Sequence, residues 1–413
     1  MNKTICVVEY ERKSKQDLTE QNFNQLKEMC LQDEYKDIFS YQNGKICFKN
    51  YAGVLELKSG DFIEVLPKIC FSENKQDECR TIFRNMIATL KSNYYKAFDN
   101  TKINCGKFPL MEIFITVFLN ELDNLIRLGV RKSYVKVSEN SNFIKGKIKI
   151  LNNIKYNSAH KERNYIEYSK FIENIPENII LKTCLIYLQN KTTDIYNKKR
   201  INEALFVFDE INVTYNIAYE FNKICLNRLN MYYETPLELA QIFLMGNSFL
   251  PQTGRTNLLS LMFPLEKLFE EYVFFYLKKE HKDKFKTIKA QSNPYYLIES
   301  ENKFKLKPDI VMENDKTIMI LDTKWKLLDM NSNAGKYNIS QSDLYQLYAY
   351  GKKYKQKQIE KGSNKKIQLF LIYPMTEKFN IAKTWNYEKD ESLPINIVPY
   401  DLQSNKLIYN FVQ

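Results

Sequence analysis

The strongest constraint on the fold lies in residues 304–326, FKLKPDIVMENDKTIMILDTKWK. Two strand-like runs, FKLKPDIVME (304–313) and KTIMILDTKWK (316–326), flank Asn314-Asp315, a pair suited to a tight turn. The pattern predicts a hairpin whose second arm is apolar enough to be central in a sheet. Yet it carries Asp309 after a proline, then Asp322 and Lys324, residue types that strands avoid. With the turn at Asn314-Asp315, Glu313 pairs with Lys316 and Asp309 falls opposite Ile320. Asp322 is then diagonal to Asp309 on the same face, Lys324 shares that face, and Thr323 points away. A slip of one residue would disperse the cluster.

Two carboxylates held together repel, raising one pKa, unless a cation lies between them. Mg²⁺ suits such a surface because it takes a few carboxylates, several waters and phosphate oxygens. An ion of that kind activates water and stabilises charge developing at phosphorus. A lysine two residues on can hold the attacking water or offset charge on a scissile phosphate. The three charges therefore predict a metal-dependent phosphodiester-cleaving site. The plainer alternative is an ion pair of Asp322 with Lys324 or Lys326 on an exposed strand. Against it stands the apolar run Ile318-Met319-Ile320-Leu321 just before Asp322.

The flanking sequence supplies helices. NLLSLMFPLEKLFEEYVFFYL (257–277) predicts a helix with Pro264 in its first turn and Leu265, Leu268, Phe269, Tyr272, Val273 and Tyr276 as its buried stripe. Glu270 and Glu271 lie beside that stripe; a solvated acidic flank is the ordinary reading of such a pair. SQSDLYQLYAYGKKY (340–354) predicts a second helix, with Ser340 and Asp343 as a capping box and Asp343, Gln346 and Tyr350 on one face. Gln can orient water or a DNA group and Tyr can bond a phosphate, although these residues could equally pack. KKYKQKQIEKGSNKK (352–366) is a basic stretch, either a solvated loop or a support for a DNA backbone. IQLFLIYP (367–374) predicts a buried strand.

Upstream, VLELKSGDFIEVLPK (54–68) predicts a hairpin turning at Ser59-Gly60. Residues 78–98 and 109–129 show helical spacing, the latter ending on Gly129; 131–150 is more polar and extended, and helices dominate from 177 to 245. A cluster of Gly, Ser, Pro and Asn marks a boundary near 245–257. At 413 residues the chain exceeds one ordinary core. The expected architecture is mixed α/β, in three parts. Residues 1–105 form a mixed domain with the hairpin, 106–250 a mainly helical region with an extended segment, and 251–413 a domain of central mixed sheet flanked by helices.

The net charge of +12 favours a polyanionic partner, although a Lys-, Asn-, Ile- and Tyr-rich composition also follows from an AT-rich genome. The N-terminus lacks the apolar core of a signal peptide and no run is long enough to span a membrane, which predicts a cytoplasmic protein. Eight cysteines without a C-x-x-C pair and only two histidines argue for thiols in a reducing compartment over structural zinc. No Walker-A loop is present, so nucleotide hydrolysis in this system would belong to another chain.

The order helix, hairpin, helix, strand, with Pro308-Asp309 and Asp322-Thr323-Lys324, resembles the PD-(D/E)xK nuclease superfamily. The Gln346 and Tyr350 spacing looks like the helix motif of its RecB-type members. LEKLFEEYV, LKPDIVMENDKTIMILDTKWK and SDLYQLYAYGKKY resemble McrC, the nuclease subunit of McrBC-type restriction systems, and YAGVLELKSGDFIEVLPKI is similar to the early part of that family. The likeness is strongest over 257–374. It implies Asp309 and Asp322 as ligands of Mg²⁺ (Mn²⁺ the alternative), Lys324 as catalytic lysine, Glu270 as a supporting helix carboxylate and metal ligand, and Gln346 and Tyr350 as auxiliary. It further implies double-stranded DNA as substrate, and a docking region before the nuclease-like domain that stimulates an McrB-like AAA+ GTPase hexamer. One departure is Asp322 where the wider superfamily often has Glu, which bears on geometry and metal preference. Three rival readings remain at this level: a stand-alone RecB-like DNA nuclease, a non-cleaving adaptor that activates the AAA+ ring, and a basic DNA-binding structural protein. The last has no need of the Asp309/Asp322 pair.

Overall fold

The structure, a computed structural model, describes residues 3–69, 76–90, 108–246, 259–292, 295–331, 337–387 and 393–409. Its elements begin with β1 (Thr4–Val8), β2 (Arg12–Lys13), α1 (Glu20–Cys30), β3 (Phe39–Gln42), β4 (Lys45–Phe48), β5 (Tyr51–Glu56), β6 (Phe62–Leu66) and α2 (Gln76–Ala88). There follow α3 (Leu110–Leu128), β7 (Ser133–Ser141), β8 (Lys147–Ile148), α4 (Ile150–Asn157), β9 (Asn164–Ile172), α5 (Pro176–Gln189), α6 (Ile195–Val207), α7 (Ile217–Phe221) and α8 (Glu234–Met245). The last third contains β10 (Ser260–Pro264), α9 (Leu265–His281), β11 (Thr287–Ala290), β12 (Tyr296–Ile298), β13 (Lys303–Lys305), β14 (Ile310–Glu313) and β15 (Thr317–Thr323). It ends with α10 (Gln341–Glu360), β16 (Lys366–Pro374), β17 (Lys383–Asn386), β18 (Pro394–Asp401) and β19 (Lys406–Leu407). The fold is mixed α/β, as expected.

Two compact units result. One is mainly Pro109–Leu261; the other joins Thr4–Ser59 and Ile63–Phe108 to Met262–Gln413. The sequence pattern separates 1–105 from 251–413, but the chain folds most of both into one unit. The physical reason is a shared sheet: β10, which leads directly into α9, pairs with β5 in the order β1-β6-β5-β10. The hairpin at Ser59-Gly60 supplies the middle of that sheet, with Gly60 at φ +86. A smaller sheet, β2-β4-β3, accompanies it.

In the first unit α3 is buried along most of its length and stops at Gly129, whose φ of +103 is open to glycine and whose N–H bonds the Leu125 and Ile126 carbonyls. Strand β9 pairs antiparallel with both β7 and β8.

The seven-stranded sheet of the second unit runs β11-β14-β15-β16-β18-β17, with β19 on β18. Pairing is antiparallel from β11 to β15 and parallel from β15 through β16 to β18. Ile318 and Ile320 of β15 and Ile395 and Ile397 of β18 pack with Leu347, Tyr350 and Tyr354 of α10. Tyr400, of opposite parity in β18, meets Phe269 of α9 at 6.1 Å between ring centres, so helices cover both faces. Gly351 lets α10 lie close: a Cβ there would sit 2.7 Å from a Leu369 methyl carbon.

Several expectations need correction. The stretch 260–264 is a strand and not the start of a helix, because it completes the sheet with β5; Pro264 is the N-cap of α9. In its stripe Leu277 replaces Tyr276 as a fully buried member. Helix α10 continues to Glu360, through half of the stretch read as a basic loop. Its N-cap Ser340 makes no capping bond, so the capping box is absent. Five described cysteines are free, but Cys79 is disulfide-bonded, so the expectation of eight thiols, which rested on spacing alone, fails there. Residues 91–98 of one expected helix and 247–257 of the expected boundary lie outside the described residues. No helix among the described residues is long and apolar enough to cross a membrane.

Candidate active site

The hairpin between β14 and β15 forms with Glu313 opposite Ile318, Met312 opposite Met319, Val311 opposite Ile320 and Ile310 opposite Leu321. The turn therefore centres on Asp315-Lys316, one residue later than expected at Asn314-Asp315, and Asn314 N–H bonds the Thr317 carbonyl at 3.0 Å. Asn314 Oδ1 also accepts from the N–H groups of Lys316 and Thr317, which stabilises the later turn. The register moves by two residues, so each side chain keeps its face. Extended by one position, it sets Asp309 across from Asp322.

Asp309 lies just outside β14, and the pleat does not dictate its side chain. Its Oδ2 accepts from the Thr323 N–H at 2.7 Å and the Thr323 hydroxyl at 2.8 Å. Thr323, expected to point away, is thus the partner that orients Asp309. Asp322 sits in the middle of the sheet, paired into β16 on its far side and 1% exposed. Lys324 shares its face: Nζ lies 2.5 Å from Asp322 Oδ2. Asp322 Oδ1 is buried with no hydrogen-bond partner, an orphan that ordinary folding economy disfavours.

A chain of polar contacts runs on from Lys324 to α10. Its ammonium donates to Gln346 Oε1 at 3.2 Å, Gln346 Nε2 donates to Tyr350 Oη at 2.8 Å, and Tyr350 donates to the Lys307 carbonyl at 3.1 Å. Asp343, one turn before Gln346, is buried and accepts from Lys326 at 2.7 Å and Tyr373 at 3.4 Å. Glu270 stands one step back: it accepts from Gln291 Nε2 at 2.9 Å, while the Gln291 N–H bonds the Asp309 carbonyl at 2.7 Å. Gln291, at φ +45, was not anticipated; nothing in its local sequence marks it.

Electrostatics follow the geometry. Burial pushes Asp322 up to about 7, the Asp309 charge adds to this, and Lys324 opposes it. Burial likewise raises Asp309 against the two Thr323 hydrogen bonds. Burial disfavours the Lys324 ammonium, but Asp322, with Asp309 and Asp343, outweighs it and holds the pKa above the ordinary lysine value. Lys324 is therefore a cation at neutral pH.

A buried carboxylate with an orphaned oxygen, a half-buried one across the hairpin and one adjacent cation are suited to a divalent metal, with remaining positions left to water and substrate oxygens. Among the described residues no group of three His, Cys, Asp or Glu converges on one point, so the expected Asp309, Asp322 and Glu270 set is not gathered as three ligands. Gln291 intervenes.

The matching family model is the McrBC 5-methylcytosine restriction system component, over residues 46–374. A comparison with curated proteins gives no match. Among solved structures, the chain resembles one from Thermococcus gammatolerans described as a half-complex of McrB AAA+ hexamers with bound McrC. The TM-score is 0.70 at 18% identity, covering 96% of this chain and 94% of that one. A second resemblance is to a chain of the Thermococcus gammatolerans McrBC complex, with TM-score 0.50 and 21% identity over 66% of this chain and 87% of that one. The family match spans most of the length and includes the whole hairpin and helix α10, so this chain belongs to the McrBC 5-methylcytosine restriction system component family.

Proposed function

We propose that this chain is the nuclease subunit of its restriction system, a Mg²⁺-dependent endodeoxyribonuclease of the PD-(D/E)xK type that works with an McrB-like AAA+ GTPase hexamer in the cytoplasm. The observation that carries the reading is the buried, orphaned Oδ1 of Asp322 beside Asp309, with Lys324 Nζ 2.5 Å from the other oxygen, Oδ2. Asp309 and Asp322 would hold the ion, and Glu270 would support them through Gln291. When bound, Mg²⁺ would acidify a water and offset charge on the phosphate.

The chain's own groups do the rest. Thr323 fixes Asp309 through two hydrogen bonds to Oδ2, which leaves Oδ1 for the ion it would hold. Lys324, kept cationic by Asp322 and aimed by Gln346, offsets charge on the scissile phosphate as water attacks phosphorus and the bond to the leaving oxygen breaks. Tyr350 anchors Gln346 to the Lys307 carbonyl, one residue before Pro308-Asp309. Lysines of the 352–366 stretch lie on the same helix and beyond it, where they would meet the DNA backbone.

The partner reading is supported by the similar chains, which were solved with McrB hexamers or within an McrBC complex. Docking and GTPase stimulation would fall to the 106–250 region. The test is cleavage of 5-methylcytosine-containing and unmethylated plasmid by this chain with its AAA+ partner, GTP and Mg²⁺. Cleavage that requires the partner and disappears in Asp322→Ala supports the reading. Cleavage without partner indicates a stand-alone nuclease. GTPase stimulation with no cleavage by the unsubstituted protein indicates an adaptor.

A further inference from the structure

Two ionisable residues from the first seventy are buried against the residue that follows Lys324. Glu9, just after β1, is 0% exposed, and Lys68, just after β6, is nearly so. The two are joined locally: the Glu9 N–H bonds the Leu66 carbonyl, and the Lys68 N–H donates to the Glu9 side chain at Oε2. Their side chains converge on Trp325. The indole Nε1 donates to Glu9 Oε2 at 2.9 Å, and Lys68 Nζ donates to the Trp325 carbonyl at 2.6 Å. Lys68 Nζ also lies 3.6 Å from Glu9 Oε1 and over the Tyr10 ring. Trp325 also packs on Phe269 of α9, with ring centres 5.4 Å apart.

Burying such a pair costs each ion its hydration, and apolar residues of the same volume would fill the space at no such cost. Burial pushes Glu9 up and Lys68 down, as expected of a desolvated pair. What the pair adds over an apolar filling is direction. Strand β15 ends at Thr323, and Lys324 is the first residue past it. On one side its N–H is tied to the Ile372 carbonyl at 2.9 Å; on the other, Trp325 is held at both its carbonyl and its indole.

We propose that Glu9 and Lys68 are positioning residues for Lys324, a clamp from the start of the chain that sets where the ammonium points through its grip on Trp325. The inference rests on Lys324 acting in DNA cleavage, as read above. It makes the N-terminal sheet part of the cleavage machinery and not only a neighbour of it.

The chain has two tryptophans, Trp325 and Trp385, so Trp385→Phe leaves Trp325 as the sole indole reporter. In that full-length background, Glu9→Gln and Lys68→Met are to be compared for Trp325 emission, thermal stability, and kcat and KM for DNA cleavage with the AAA+ partner, GTP and Mg²⁺. The expected result is a shifted emission with kcat lowered roughly ten- to hundred-fold, as for a misplaced catalytic group, at unchanged KM for DNA. Trp325→Phe, which keeps an aromatic ring and the carbonyl but loses the N–H, should lower kcat less and serves where the other variants fail to fold. Unchanged kcat in the presence of a shifted emission overturns the clamp. A loss of activity that merely follows a lowered melting temperature overturns it too. Failure of the nuclease reading looks different: the unsubstituted protein cuts nothing, or Asp322→Ala cuts as well as it does.

Discussion

Lys324 reaches back along its own strand to place Nζ 2.5 Å from Asp322 Oδ2, and so covers one oxygen of a buried carboxylate while the other stays unpartnered. Strand periodicity makes this contact available to any D-x-K, but only a central strand makes it costly, because the pair is then removed from water. The proposed metal ion, bound at the free oxygen, would offset that cost.

Removing that oxygen should therefore abolish cleavage without unfolding the chain. Asp322→Asn keeps the volume and is expected to reduce kcat by about 10³-fold or more, comparable to loss of a principal transition-state group. Asp309→Asn should have a similar effect, since its charge lies across the hairpin. Steady-state cleavage of plasmid with partner and GTP, beside circular dichroism of each variant, checks both. Activity within a few-fold of the unsubstituted protein would remove these residues from the metal site.

The pH dependence has a definite sign. The folded pKa of Asp322 is raised to about 7 from an ordinary 3.8, so the fold favours its protonated form. A metal ion needs the carboxylate, and protons compete with it below about pH 7. Mn²⁺ affinity, read by calorimetry, should fall roughly ten-fold per pH unit between pH 7 and pH 5 and level off above 7. In metal-free buffer the same group gives stability that is complete below about pH 4 and lost as pH rises to about 7. A Mn²⁺ affinity flat from pH 5 to 8 would mean that Asp322 does not bind the ion.

The helix partners should matter by degree. Gln346→Ala takes away one of the two acceptors that aim Lys324, and a fall in kcat of about ten-fold is expected with little change in stability. Tyr350→Phe leaves the Lys307 carbonyl without its donor and should cost about 1 kcal/mol in denaturant unfolding. If Gln346→Ala cleaves normally, Asp322 alone is enough to hold the lysine.

Much of this site was legible in local sequence because local rules govern it. Alternation put Asp322 and Lys324 on one face, and helical spacing put Gln346 and Tyr350 together. The turn slipped by one position, since Asn314 prefers to accept bonds from the residues after it, yet parity survived a shift of two. Where pairing partners are distant in the chain, the reading failed. Residues 260–264 have helical spacing but are claimed by β5, and alternation points Thr323 away from the site whereas Asp309, just outside β14, is free of the pleat and meets Thr323. Glu9, Lys68 and Gln291 carry no local mark at all: Gln291 acquires its role from a contact 21 residues away, and Glu9 and Lys68 from contacts 316 and 257 residues away.

That long-range closure predicts how the chain can be cut. Deleting residues 1–68 removes β1, β5 and β6 from the sheet that β10 completes and leaves Trp325 without both polar partners. A fragment of 262–413 should be insoluble or partly unfolded, with lost near-ultraviolet dichroism. Full folding and cleavage by the fragment would show that the C-terminal elements close a core unaided.

The partner surface should lie in the other unit. Its three-stranded sheet β7-β9-β8, the β7–β8 loop and α4 carry large apolar side chains in solvent: Phe143 of the loop is 82% exposed, Leu151 83%, and Tyr134, Ile144, Ile150 and Ile154 are all well exposed. Isolated exposed residues of this kind are ordinary, but a concentration of them in one small module marks an interaction site. Because they are not in a core, changing them should cost little stability. Phe143→Ser with Ile144→Ser, and separately Leu151→Ser, are expected to keep the melting temperature within about 2 °C. The same variants should lose most GTPase stimulation of the AAA+ partner, and DNA cleavage with it, while Asp322→Asn keeps the stimulation. Stimulation undiminished in both apolar variants would move the docking surface elsewhere in the chain.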